Sequence, residues 1–244
     1  MIVSHQHKYL FIENPLTGST AISLELREFY SGTKILKKHS TYQEFLKVAS
    51  AEEKEYFVFT GIRNPLDIFV SNYFKLKTNH RQMYTDPQRS KERFKGIKGK
   101  LDQHLFQLIQ EKDIDFPTFF RKYYLIPYPY NNRISAYIKH FDYVIRFENL
   151  QNDFATVLKL IGLEPVRPLP HQNITAERKK EFWSYYTPDI IPRAKRIYGP
   201  YMKQWGYEFP VEWGDNSVPW WNQVEFKFFT IFRKIYWNLI SPAV

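Results

Sequence analysis

The stretch "KYLFIENPLTGSTAIS", residues 8–23, decides the fold. Residues 8–13 read as a short buried strand, because Tyr9 to Ile12 are all aromatic or branched aliphatic. A loop of small residues follows. From Ser19 onward Ile22, Leu26 and Phe29 fall at helical spacing, and Gly32 supplies a stop. A strand turning through small residues into a helix aims main-chain N–H groups and the positive end of the helix dipole at one place. That arrangement suits a phosphate or sulfate. Gly18 permits close backbone approach, and the hydroxyls of Thr17, Ser19 and Thr20 can each donate to an anionic oxygen. The G-x-x-x-x-G-K-[ST] pattern is absent, and Leu16 stands where a lysine is wanted. Taken alone, such a turn is equally a common structural connection.

Two further strands are legible, at 56–62 ("YFVFTGI") and 142–147 ("DYVIRF"). Residues 41–49 read as a helix, with Thr41 as N-cap and Glu44 completing a capping box. "RNPLDIFVSNYFKL", residues 63–76, reads as a helix with Asn64 as N-cap and Pro65 at its first position. Residues 78–100 are polar and basic and read as a long loop. Helices are expected at 101–112 and 115–124, then a proline-punctuated, tyrosine-rich loop at 124–133. In 148–163 Leu150, Phe154, Val157, Leu158 and Ile161 share one helical face, with Gly162 as the stop. Residues 187–207 suggest a helix ending near Gly199. Strands alternating with helices imply an α/β domain over 1–215, with a central, mostly parallel sheet flanked by helices. Residues 216–244 differ in composition and read as an aromatic, amphipathic C-terminal segment.

Composition narrows the function classes. A chain of 244 residues, 43% hydrophobic, can bury one sizeable core. No cysteine is present, which removes disulfides, thiolate metal sites and thiol nucleophiles. The seven histidines form no metal-binding pattern, so no metal site is expected. The formal net charge of +10 favours anionic partners, but no zinc-finger, helix-turn-helix or RNA-binding sheet signature accompanies it. Nucleic acid is therefore not an expected partner. No apolar run is long enough to span a bilayer, and the first residues lack the marks of a signal peptide. The expected location is cytoplasmic. The 216–244 segment leaves two roles open, packing or homo-oligomerisation on one hand and peripheral membrane contact on the other.

Two more motifs follow the first. Arg63 stands at the carboxyl end of the 56–62 strand, where a guanidinium suits a phosphate, and Ser71 lies two helical turns further along; an Arg63–Asp67 capping ion pair with a buried Ser71 fits the same residues. His39, in "KKHSTYQEF", is a candidate general base, though taken alone a histidine here is more often a surface or helix-flanking residue.

In this order the three motifs resemble the PAPS-dependent sulfotransferases, especially the carbohydrate and Golgi type and their bacterial relatives. The likeness covers about residues 8–210. It implies a P-loop-like three-layer sandwich and sulfuryl transfer from 3′-phosphoadenylyl sulfate (PAPS), with PAP as product. The run Pro15-Leu16-Thr17-Gly18-Ser19-Thr20 is similar to the family's 5′-phosphosulfate loop. The likeness thereby assigns Pro15, Thr17, Gly18, Ser19 and Thr20 to the donor. "RNPLDIFVS" resembles the 3′-phosphate motif through Arg63, Asn64, Pro65, Asp67 and Ser71, with Ile68 where arginine is common. "HSTYQEF" is similar to the segment that carries a catalytic histidine, and proposes His39. A carbohydrate or glycolipid acceptor is implied, and the tyrosines of 123–130 could stack on sugar rings. Leu16 departs from the family, which commonly has lysine there. Three readings follow from it. Another cation such as Lys37 or Lys38, or one from 91–100, replaces it. The enzyme is slow. Or the chain binds PAP or PAPS without transfer. A different P-loop-like nucleotide-dependent transferase is the remaining alternative.

Overall fold

The computed structural model describes residues 1–94, 96–123, 141–170 and 181–235. Two compact units make up the chain. One comprises Met1–Asn64, Tyr130–Asn173 and Thr230–Val244, the other Pro65–Pro129 and Ile174–Phe229. The 124–133 loop, most of the 123–130 tyrosines and residues 236–244 lie outside the described residues.

The first unit holds a five-stranded sheet of β1 (Ile2–Ser4), β2 (Tyr9–Ile12), β3 (Thr33–Lys34), β4 (Phe57–Ile62) and β5 (Tyr143–Arg146). The spatial order is β3-β1-β2-β4-β5. β2, β4 and β5 run parallel, with Leu10 opposite Val58 and Thr60 opposite Val144. β1 is antiparallel to both β2 and β3, so the sheet is mixed and mostly parallel. Among the described residues the α-helices are α1 (Ser19–Phe29), α2 (Tyr42–Leu46), α3 (Pro65–Lys77), α4 (Pro87–Arg93), α5 (Gly96–Lys112), α6 (Phe116–Tyr123), α7 (Leu150–Leu160), α8 (Ile191–Trp205) and α9 (Trp220–Ile235).

Alternation along the strands separates two cores. Tyr9, Phe11, Phe59 and Ile145 pack with Ile22 and Leu26 of α1 and with Phe154, Val157 and Leu158 of α7. Val3, Leu10, Ile12 and Val58 pack on the opposite face with Phe45 of α2. Helix, sheet and helix thus form three layers within this unit. A one-residue slip of β2 would exchange Tyr9 and Phe11 for Leu10 and Ile12 across the sheet, so the two unlike cores fix the register.

The second unit is helical. Phe69 and Tyr73 of α3, Phe116, Phe119 and Phe120 of α6, and Tyr186 and Tyr198 form its aromatic core. Tyr186 donates from its hydroxyl to the Leu66 carbonyl at 3.0 Å, which satisfies a phenol buried among rings.

Three sequence expectations need correction. Residues 78–100 are not one loop, because α4 begins at Pro87 and α5 at Gly96. Asp86 accepts from the N–H groups of Gln88 and Arg89 at 3.1 and 2.9 Å, and Pro87 takes the first helical position. The helix expected to stop near Gly199 continues to Trp205 and ends on Gly206, at φ 62°. Gly199 is inside it because Val218 packs there; a Cβ would lie 2.9 Å from Val218 Cγ2. β1 and β3 were not expected, being only three and two residues long.

Candidate active site

The carboxyl ends of β2, β4 and β5 deliver the candidate residues of the first unit, the side of a parallel sheet where α/β proteins bind ligands. Residues 13–18 join β2 to α1. Asn14 is buried and donates from its amide to the Gly61 carbonyl at 2.8 Å, tying the loop to β4. Thr17 is also fully buried, and its hydroxyl closes the turn on the Asn14 carbonyl at 2.9 Å. Gly61 makes this approach feasible, since a Cβ there would sit 2.8 Å from Thr17 Oγ1. Gly18 has φ 75°, and a Cβ would meet Leu150 Cδ2 at 2.9 Å. Glycine is thus required at 18 for both conformation and space.

An α-helix leaves its first N–H groups without intrahelical acceptors. At α1 no side chain among the described residues caps them. Ser19 is buried, yet its hydroxyl makes no hydrogen bond among the described residues. Unclaimed donors at a helix start are what an anionic group would take up.

Leu16 also has a positive φ, 66°. For a residue with a Cβ this conformation costs roughly 1–2 kcal/mol. Its carbonyl accepts from Arg63 Nη1 at 3.2 Å, which helps hold it there. Arg63 follows directly on β4, and its guanidinium lies 4.0 Å from the centre of the Phe147 ring. Beside it the Glu148 carboxylate accepts from the Asn64 N–H at 2.6 Å. The "FEN" that follows β5 therefore orients the start of the "RNP" motif.

The segment after β3 closes on the loop from a different direction. Lys38 Nζ donates to Thr20 Oγ1 at 3.0 Å. His39 has φ 67°, and its Nδ1 lies 2.7 Å from the Glu13 carbonyl oxygen. A carbonyl only accepts, so Nδ1 carries the hydrogen and Nε2 keeps its lone pair. Burial pushes the His39 imidazole below its ordinary value. The bond to the Glu13 carbonyl opposes this, Lys38 adds to it, and the net direction is down. Near neutral pH the ring is an uncharged base with its free nitrogen defined.

The first unit thus assembles Pro15, Thr17 and Gly18 of the loop with Ser19 and Thr20 of the first turn of α1, with Arg63 bonded to the loop through Leu16 and His39 bonded to Glu13. Ser71 belongs to α3 in the second unit, where it is fully buried. Among the described residues no group of three or more His, Asp or Glu side chains could hold a metal ion. The sequence reading did not single out Asn14, Gly61, Phe147 or Glu148 for the site. The signal for the last two was present, as polar and aromatic residues placed directly after a sheet strand.

A mixed, mostly parallel α/β sheet carries a strand–loop–helix turn with Arg63 and Lys38 bonded to it, an arrangement suited to an anionic ligand. The chain belongs to the sulfotransferase family: a family model described as "Sulfotransferase family" matches residues 1–207. No curated protein and no solved structure matches the chain.

Proposed function

We propose that this protein transfers a sulfuryl group from PAPS to a hydroxyl of a carbohydrate or glycolipid. The observation that carries the reading is the pair of cations on the loop, Arg63 on the Leu16 carbonyl and Lys38 on the Thr20 hydroxyl. Lys38, the N–H groups at the start of α1 and the Ser19 hydroxyl, which has no hydrogen-bond partner among the described residues, suit a doubly anionic phosphosulfate, and Arg63 stands beside them to meet a second phosphate. PAPS would supply the activated sulfuryl group. Pro15, Thr17, Gly18, Ser19 and Thr20 would hold its 5′ end, Thr17 chiefly by shaping the loop. Arg63 would hold the 3′-phosphate that distinguishes PAPS from ATP, the role that the likeness also gives Ser71.

His39 Nε2 accepts the proton of the acceptor hydroxyl. The acceptor oxygen forms the new O–S bond as the bond from sulfur to the 5′-phosphate oxygen breaks, and PAP departs. Sulfuryl transfer resembles phosphoryl transfer in its loose, in-line transition state, with charge growing on the leaving phosphate. Lys38 would meet that charge in place of the lysine that Leu16 replaces. A preorganised donor at such a site contributes roughly 3–4 kcal/mol to barrier lowering. The choice of a sugar acceptor rests on the likeness to carbohydrate sulfotransferases.

Calorimetric titration with PAP and ADP, followed by a labelled-sulfate transfer screen over saccharides and glycolipids, tests the reading. Tight binding of PAP with weak binding of ADP is expected. Equal binding of the two would turn the assignment toward another nucleotide-dependent transferase. Leu16 supports a second reading, PAP or PAPS binding without turnover. Selective PAP binding with no transfer to any acceptor would favour it.

A further inference from the structure

The helix α9 carries an apolar surface that faces solvent. Trp220 is 72% exposed, Trp221 58%, and Val224 and Phe228 54% each. At 100° per residue these four fall within one face of a helix. Ile231 and Phe232, further along the same helix, are exposed as well. Single exposed hydrophobic residues are ordinary, but a run of large ones along one helix is not.

Another side of α9 is buried or ion-paired. Asn222 and Phe226 are buried, and Glu225 forms a two-point ion pair with Arg196 of α8, at 3.1 and 2.6 Å. The part of the helix up to Phe229 is thereby anchored within the second unit by its polar and buried side. Its one acidic residue is neutralised by that anchor. Lys227 is exposed, and the sequence adds Arg233 and Lys234 before continuing through Tyr236 and Trp237. The face is apolar and aromatic, the helix carries excess positive charge, and the whole chain has a formal charge of +10.

We propose that α9 docks this protein on an anionic lipid bilayer, lying in the plane of the interface with Trp220, Trp221, Val224 and Phe228 inserted. Aromatic side chains favour the headgroup boundary, and cations near them gain from a negative surface potential. The same charge argues against a second copy as the occupant, because it would bring two strongly positive chains face to face. No described helix is long and apolar enough to cross a membrane, so the proposed contact is peripheral.

Vesicle co-sedimentation with the full chain tests this. Vesicles of equal parts phosphatidylcholine and phosphatidylglycerol are compared with pure phosphatidylcholine vesicles. The wild type should pellet with the anionic vesicles, weakly with the neutral ones, and less as salt is raised. W221E/F228E should lower the apparent partition coefficient at least about tenfold, since both side chains give up apolar burial. K227E should weaken binding to anionic vesicles alone. All three positions are exposed, so an unchanged thermal midpoint is expected and certifies that the variants fold. Failure of the wild type to bind anionic vesicles overturns the proposal, as does equal binding by folded W221E/F228E. A wild-type dimer in light scattering that W221E/F228E turns into a monomer, with no vesicle binding by either, would assign the face to a second copy instead.

Discussion

Arg63 Nη1 donates to the carbonyl of Leu16 at 3.2 Å, joining two motifs 47 residues apart in the chain. The same guanidinium stacks on Phe147. One side chain therefore braces the anion loop and presents charge beside it. Replacing it should weaken ligand binding while leaving the loop in place, because Asn14 and Thr17 hold that loop as well.

Arg63→Ala should weaken PAP binding by about tenfold or more, the equivalent of a charge-assisted hydrogen bond worth roughly 1.5–3 kcal/mol. Arg63→Lys should not restore it, since an ammonium can neither stack flat on Phe147 nor present a planar fork. Titration calorimetry on both variants checks this. Unchanged PAP affinity in Arg63→Ala would remove Arg63 from the ligand site.

Lys38 and Leu16 make a linked prediction. If the Lys38 ammonium does the work of the family's loop lysine, Lys38→Ala should reduce turnover by about two orders of magnitude, as expected for one lost charge-stabilising donor. PAP affinity should fall much less. Leu16→Lys in the Lys38→Ala background should recover part of the rate, while Leu16→Lys alone should add little. Single-turnover transfer measurements on the four proteins decide it. Additive effects of the two substitutions would show that they serve different ends.

Much of the site could be read along the chain because its pieces are local. The strand, small-residue loop and helix of 8–29 are contiguous, and the Thr41–Glu44 capping box spans four residues; both occur as expected. Contacts made across the sheet were not legible. Glu148 reaches the Asn64 N–H over a separation of 84 residues, and Asn14 reaches Gly61 over 47. No periodicity reports such pairs. β1 escaped notice because "IVS" is too short to show alternation, and its place depends on pairing with β2. At Gly199 and Pro200 the local rule gave the wrong boundary. Both residues are buried in α8, and the packing of Val218 on Gly199 overrode their tendency to end a helix.

Gly61 offers a test of the loop's support that touches no ligand. Gly61→Ala would put a methyl 2.8 Å from Thr17 Oγ1 and 3.3 Å from the Thr17 carbonyl oxygen. Thr17 cannot swing away without releasing Asn14, so the loop must shift. The expected destabilisation is about 1–3 kcal/mol, the usual range for overpacking a buried site. Thermal unfolding would report it, and PAP affinity should fall in parallel because the displaced loop carries the donors. A variant as stable as the wild type with full PAP affinity would show that the loop is not set by this contact.

The neutral state of His39 gives both activity and stability a defined pH dependence. Its pKa in the folded protein lies below the ordinary imidazole value, chiefly through burial. The unfolded chain therefore binds a proton more readily over the interval between the two values. The stability linked to His39 is fully present above the unfolded value of about 6.5 and is lost as pH falls toward the folded one. Transfer should follow the neutral fraction, so kcat/KM should rise through a limb centred below about 6.5 and then level off. His39→Asn separates the two roles. Its amide can donate to the Glu13 carbonyl as Nδ1 does, and asparagine tolerates the positive φ at this position, but it offers no base. It should keep PAP affinity and the thermal midpoint near neutral pH, lose transfer, and abolish the acid loss of stability assigned to the imidazole. Retained transfer with an unaltered pH limb would show that another group takes the proton.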